Sequence, residues 1–155
     1  MNYYTGIGSR KTPSDVQERM EKIATVCRLE GIRLRSGGAS GADQAFGRGA
    51  QQHATIYLPW HGFGQVESGA EIHCPNEFPS WVKQLAEQVH PAWKNVHPKF
   101  RAFHYRNVLQ VLGHSDEVKL PLFLCCWTQD AKVTGGTATA LRLAQWLHVP
   151  IVNLG

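Results

Sequence analysis

The sequence predicts an α/β fold: a single Rossmann-like, three-layer domain with a mainly parallel sheet and one inserted loop and helix region. Three observations predict it. Short apolar runs alternate with longer segments of helical periodicity, the pattern of an open parallel sheet with right-handed crossovers. Three glycine-rich turns, Gly6–Arg10, Ser36–Asp43 and Thr134–Thr139, each stand where a strand ends and a helix begins. The 155 residues, 43% of them apolar, suffice for one ordinary core, so residues 1–155 read as one domain.

Tyr3–Gly6 is the first strand, ending in the first glycine turn. Thr12-Pro13-Ser14-Asp15 is a helix start, with Thr12 as cap and Pro13 at the first helical position. Val16, Met20, Ile23, Ala24, Cys27 and Leu29 then give that helix its apolar face, and Gly31 ends it. Ile32–Arg35 alternates like a strand and runs into the second glycine turn. Asp43–Gln52 is a small-residue helix, and Thr55–Leu58 a third strand closed by Pro59. From about 60 to 100, glycines and prolines dominate, and only Ser80–Val89 reads as an amphipathic helix. Trp60, Trp81 and Trp93 fall here, so the insertion should pack as a lid or dimer contact. Arg101–Gly113 is a helix, Leu120–Trp127 a continuous buried strand, Thr137–His148 a helix and Ile151–Leu154 the last strand.

The bulk chemistry narrows the function. A formal net charge of +4 suits an anionic ligand and is far from that of a nucleic-acid-coating protein. The four cysteines show no C-x-x-C pair or disulfide framework, which suits a reducing compartment. With no signal peptide and no long apolar run, a soluble cytoplasmic protein is expected, with no membrane partner. His73, Cys74, His90, His97 and His104 lack metal-ligand spacing and read as surface-loop histidines and a thiol, so no metal and no cofactor is expected.

Glycine lets a backbone approach a ligand closely, and a helix that begins there turns free N–H groups and a positive dipole end toward it. Three such turns on one sheet edge would converge on a crevice suited to phosphate. Neither G-x-G-x-x-G nor a Walker sequence is present. Gly8-Ser9-Arg10, Gly37-Gly38-Ala39-Ser40-Gly41-Ala42-Asp43, Arg106-Asn107 and Gly135-Gly136-Thr137, in this order, resemble the signature of the SLOG superfamily, in its DprA/Smf-like and YspA-like branches. The resemblance runs from Tyr4 to Leu154 and thins out between Trp60 and Phe100.

The resemblance implies a site for a nucleotide or nucleotide-derived small molecule, ADP-ribose-type signals included. Its binding candidates are Gly8, Ser9, Arg10, Gly37, Gly38, Ala39, Gly41, Asp43, Arg106, Asn107, Gly135, Gly136 and Thr137. Thr139 joins them from its place in the first helical turn. Arg10 and Arg106 would pair with phosphate, and the turn N–H groups of Gly37–Gly41 and Gly136–Thr139 would cradle phosphate or ribose oxygens. Asp43 would either accept from a ribose hydroxyl or hold its turn.

The expected role is that of a sensor or sequestering module rather than an enzyme. Two alternatives stay open. One is N-glycosidic hydrolysis of a nucleoside 5'-monophosphate, which in relatives uses a glutamate after the third turn. Here Ala140-Leu141-Arg142 follows Thr139, no catalytic residue can be assigned, and Glu67, Glu71 or Asp130 would have to substitute. The other is single-stranded DNA binding as a recombination accessory, with Tyr57, Trp60, Phe63, Trp81, Trp93 and Phe103 beside Lys94, Lys99 and Arg101. A homodimer is inherited from the superfamily.

Overall fold

The computed structural model describes residues 1–155. The strands are β1 (Tyr3–Gly6), β2 (Arg33–Ser36), β3 (Ala54–Tyr57), β4 (Glu71–His73), β5 (Leu124–Cys126) and β6 (Ile151–Asn153). The helices are α1 (Ser14–Leu29), α2 (Ala42–Ala50), α3 (Ser80–Val89), α4 (Arg101–Leu112) and α5 (Ala138–Trp146). All strands run parallel in the order β4-β3-β2-β1-β5-β6, so the domain is the expected Rossmann-like α/β unit. No helix is long and apolar enough to cross a membrane.

The two sheet faces carry separate cores. Tyr4, Leu34, Ile56 and Cys125 pack against α1 and α2 through Val16, Met20, Ala24 and Phe46. Tyr57, Leu124 and Cys126 pack against α3, α4 and α5 through Val82, Val108, Leu109 and Leu141. The α1 and α2 helices touch at Gly49, where a Cβ would fall 2.2 Å from the Glu21 carbonyl oxygen. A small-residue α2 is what lets it lie this close.

Several local expectations shift. Thr12 does not cap α1: Pro13 stands at that position without a side-chain cap bond, and the Thr12 hydroxyl donates to the Ser9 carbonyl at 2.6 Å. The first glycine turn thereby outcompetes the helix for that hydroxyl. Leu29, placed on the apolar face, is 72% exposed at the end of α1. The run Leu120–Trp127 yields only a three-residue strand, with Leu120 and Leu122 nearly half exposed on either side of Pro121. The insertion supplies an unforeseen edge strand, β4, whose Glu71-Ile72-His73 sequence is polar because the outer edge faces solvent. The helix expected over Ser80–Val89 is present as α3.

Candidate functional site

The sequence order β1-β2-β3 grows outward on one side of β1, and the chain then returns to lay β5 on its other side. This reversal opens a crevice at the carboxyl ends of β1 and β5, where open α/β sheets bind ligands. The crevice is a cleft of about 610 Å³. Its walls are Gly8–Lys11 after β1, Thr128–Gln129 and Thr134–Thr137 after β5, and one face of α4. Ile7, Ala39 and Asp43 also line it.

The first glycine turn is an extension of the sheet. Ile7 N–H donates to the Cys125 carbonyl and Ser9 N–H to the Trp127 carbonyl, both at 3.1 Å. A Cβ on Gly8 would fall 2.7 Å from the Ala42 Cβ and 2.9 Å from the Trp127 oxygen, so only glycine fits between the start of α2 and the backbone that follows β5. Ser9 anchors the turn: its hydroxyl accepts from Lys11 N–H at 3.0 Å, and its carbonyl accepts from Thr12 and Ala42 N–H. Arg10 and Lys11 are left exposed on the cleft wall.

Opposite, Gly135–Thr137 forms a short 3-10 turn leading into α5. Thr134 makes no side-chain cap bond; Ala138 N–H donates to the Gly135 carbonyl, and no side chain caps the N–H groups before it. A Cβ at Gly135 or Gly136 would meet nothing within 4 Å, which leaves the approach to this backbone open. Asn107 Nδ2 donates to the Gly136 carbonyl at 2.6 Å and fixes the turn to α4.

Two buried charges underlie the cleft. Arg106 is only 7% exposed, yet its Nε finds no partner, and its Nη1 donates to the Tyr57 carbonyl at 3.4 Å. Its guanidinium carbon lies 5.2 Å from the Phe63 ring centre and 5.5 Å from that of Phe103. Asp43 accepts from Ala39 N–H at 3.4 Å. Burial pushes its carboxyl up to about 6, against the pull of Arg106, the Ala39 and Gly8 N–H groups and Arg10. Asp43 thus holds its turn through Ala39 N–H and at the same time lines the cleft.

Ten of the fourteen candidates line the cleft: Gly8, Ser9, Arg10, Ala39, Asp43, Arg106, Asn107, Gly135, Gly136 and Thr137. Gly37, Gly38, Gly41 and Thr139 lie outside its lining, so of the expected cradle Ala39, Gly136 and Thr137 face the cleft. Gly37 lies behind the buried charges, where a Cβ would fall 2.6 Å from both Arg106 Nη1 and Asp43 Oδ2. Gly38 is covered by the insertion: its carbonyl accepts from Gln65 N–H at 3.0 Å. Gly41 packs on the backbone of Ser9 and Arg10. Thr139 is 1% exposed, and its hydroxyl lies 2.7 Å from His104 Nδ1.

His104 is a correction. It sits on α4 and lines the cleft rather than a surface loop. Burial, then His90 and Arg142, hold it down to about 4, so it is neutral at physiological pH. Lys11, Phe100, Gln110, Thr128 and Gln129 also line the cleft without having been foreseen. Phe103, His104 and Gln110 carried a signal: they stand three or four positions from Arg106 or Asn107 on the same helix face. No group of three His, Cys, Asp or Glu side chains gathers in metal-binding geometry.

No family model matches the sequence, and no curated protein matches it. Among solved structures, the chain is similar to DNA processing protein A from Helicobacter pylori, described for its single-stranded DNA binding mode, with a TM-score of 0.58 and 15% identity. The likeness covers 98% of this chain and 64% of that one, so this chain spans under two thirds of that protein's length. At this identity the likeness is one of fold: this chain shares the Rossmann-like domain of that DNA-processing protein.

Proposed function

We propose that the protein binds a nucleotide or nucleotide-derived small molecule, of the ADP-ribose type among others, in the β1/β5 cleft, as a sensor or sequestering module. The observation that carries this reading is the pairing of an open, uncapped helix start at Gly135–Thr137 with Arg10 and Lys11 across one cleft of about 610 Å³. That volume is within the range of small-ligand sites, roughly 300–1,000 Å³. A phosphate at the α5 start would take backbone N–H bonds and the helix dipole, and Arg10 would add a charge-assisted contact. Phe100 and Phe103 offer apolar surface for a base. Binding without turnover is supported by the carboxylates: Asp43, the one that lines the cleft, is engaged by backbone N–H groups. Glu67, Glu71 and Asp130 are absent from the cleft lining.

The test is calorimetric titration with AMP and ADP-ribose. Arg10→Ala should weaken binding by at least about tenfold, 1.4 kcal/mol, with little change in melting temperature, because the side chain is exposed and its contact with the Phe63 ring, at 5.7 Å, is a surface one. Equal affinity in a folded variant would remove Arg10 from the site.

A second reading, single-stranded DNA binding, is favoured by the fold shared with DNA processing protein A and by the cleft's aromatic mouth. Phe100 on the cleft wall and Trp60, edge-on to Phe103, are nearly half exposed, and Phe100 is flanked in sequence by Lys99 and Arg101. A gel shift of a dT oligonucleotide that fades steadily as salt rises supports it. No shift at low salt, alongside tight mononucleotide binding, rejects it.

A further inference from the structure

A second cavity, of about 390 Å³, lies between α2 and residues 65–70. Asp43 lines both this cavity and the cleft. Between them the segment Phe63-Gly64-Gln65 is strapped over the second glycine turn. Gln65 N–H donates to the Gly38 carbonyl. Gly64, at φ +63°, lies so close that a Cβ would fall 1.8 Å from the Gly38 oxygen. The Phe63 ring takes the guanidinium groups of Arg106 at 5.2 Å and Arg10 at 5.7 Å, and meets Trp60 and Phe103 edge-on.

This arrangement leaves Arg106 incompletely satisfied despite its bond to the Tyr57 carbonyl and the nearby Asp43, while Arg10 stays exposed. An aromatic face attracts a guanidinium, but it accepts no hydrogen bond, and Arg106 Nε remains without a partner. A phosphate in the same place would be the stronger partner. The strap therefore covers a turn, and occupies two arginines, that an anion would engage better.

The second cavity has a different chemistry. Gln44, Gln51, Gln65, Ser68 and Glu67 line it, and its one arginine, Arg48, is paired with Glu21 at 3.2 Å. Amides and hydroxyls that both donate and accept, with a carboxylate among them, match the polar edge of a nucleobase and repel a phosphate. The cleft thus suits a phosphate with its nucleoside, and the cavity beyond the strap suits a second base.

We propose that the strap closes a groove for two nucleotide units: a phosphodiester-linked dinucleotide lifts Phe63–Gln65 off Gly38, sets its linking phosphate against Arg106, and places its second base in the amide-lined cavity. The inference rests on the nucleotide reading of the cleft. A mononucleotide fills the cleft alone and leaves the strap closed.

The experiment uses AMP and the adenylyl dinucleotide pApA with the full chain. Amide hydrogen exchange of Gln65 reads the strap in the wild type. Saturating pApA should speed that exchange by about tenfold or more, since the bond to Gly38 is broken, while AMP leaves it unchanged. Gly64→Ala, whose Cβ cannot coexist with the closed strap, should bind pApA about tenfold more tightly than the wild type and AMP equally well. Unchanged Gln65 exchange with pApA bound, or an equal gain for both ligands in Gly64→Ala, overturns the strap while leaving the cleft reading intact. Binding of neither ligand to the wild type overturns both.

Discussion

Arg106→Met is expected to destabilise the protein by about 3 kcal/mol at pH 8 and by little or nothing at pH 5, because it removes one partner of a buried charge pair. Asp43 is 4% exposed and Arg106 7%, and both reach within 2.6 Å of the point where a Gly37 Cβ would stand. The nearby Arg106 charge is the foremost influence opposing the burial that raises Asp43 to about 6. Methionine fills similar space without charge, so the Asp43 carboxyl must rise further. Each unit of rise costs about 1.4 kcal/mol once the group is forced to ionise.

The sign follows from proton binding. The folded-state carboxyl binds its proton more tightly than the same group in the unfolded chain. Its contribution to stability is therefore complete below the ordinary carboxylate range and is lost as pH rises toward about 6. In the variant that loss continues to higher pH. At pH 5 the carboxyl is largely neutral in both proteins, and the variant escapes the burial of an unpaired guanidinium, whose protonated form burial already disfavours. Urea denaturation at both pH values measures the difference. A pH-independent change would mean that Arg106 stabilises by packing alone.

The second large effect is Phe46→Ala, expected to cost about 4 kcal/mol in urea denaturation. Phe46 is fully buried on α2, and its ring fills the space that Gly6 leaves: a Gly6 Cβ would fall 2.7 Å from the ring. Its centre lies 6.4 Å from that of Tyr4, edge to face. Gly6 has no side chain to move in after truncation, and Tyr4, the β1 neighbour, is itself fully buried and stacked on Phe123, so the cavity stays largely open. The same ring sets the distance between the end of β1 and the start of α2, and hence the approach of Asp43 to the Gly8 turn. A loss below about 1 kcal/mol would show that α2 collapses onto the sheet.

Much of the site was readable because its signals are local. The short apolar runs and helical spacings marked five of the six strands and all five helices, although Leu120–Trp127 overstated its strand. The first and third glycine turns open on the cleft because each follows one of the two strands at the reversal of strand order. Arg106 and Asn107 come with them, since one helix face delivers both.

What the tertiary structure alone decided involves residues far apart in the chain. The second glycine turn has the same local grammar as the others, but the insertion lays Gln65 on Gly38 and takes that residue out of the cleft, leaving Ala39 and Asp43 on its wall. Thr139 occupies a helix start like a ligand-binding threonine, yet His104, thirty-five residues earlier, claims its hydroxyl. The edge strand β4 left no mark because a solvent-facing strand needs no apolar alternation. Sequence determined the strand–turn–helix units and the chemical groups each turn carries. Which turns stay open to a ligand was settled by packing, because a backbone group or hydroxyl is free only when no distant part of the chain has reached it first.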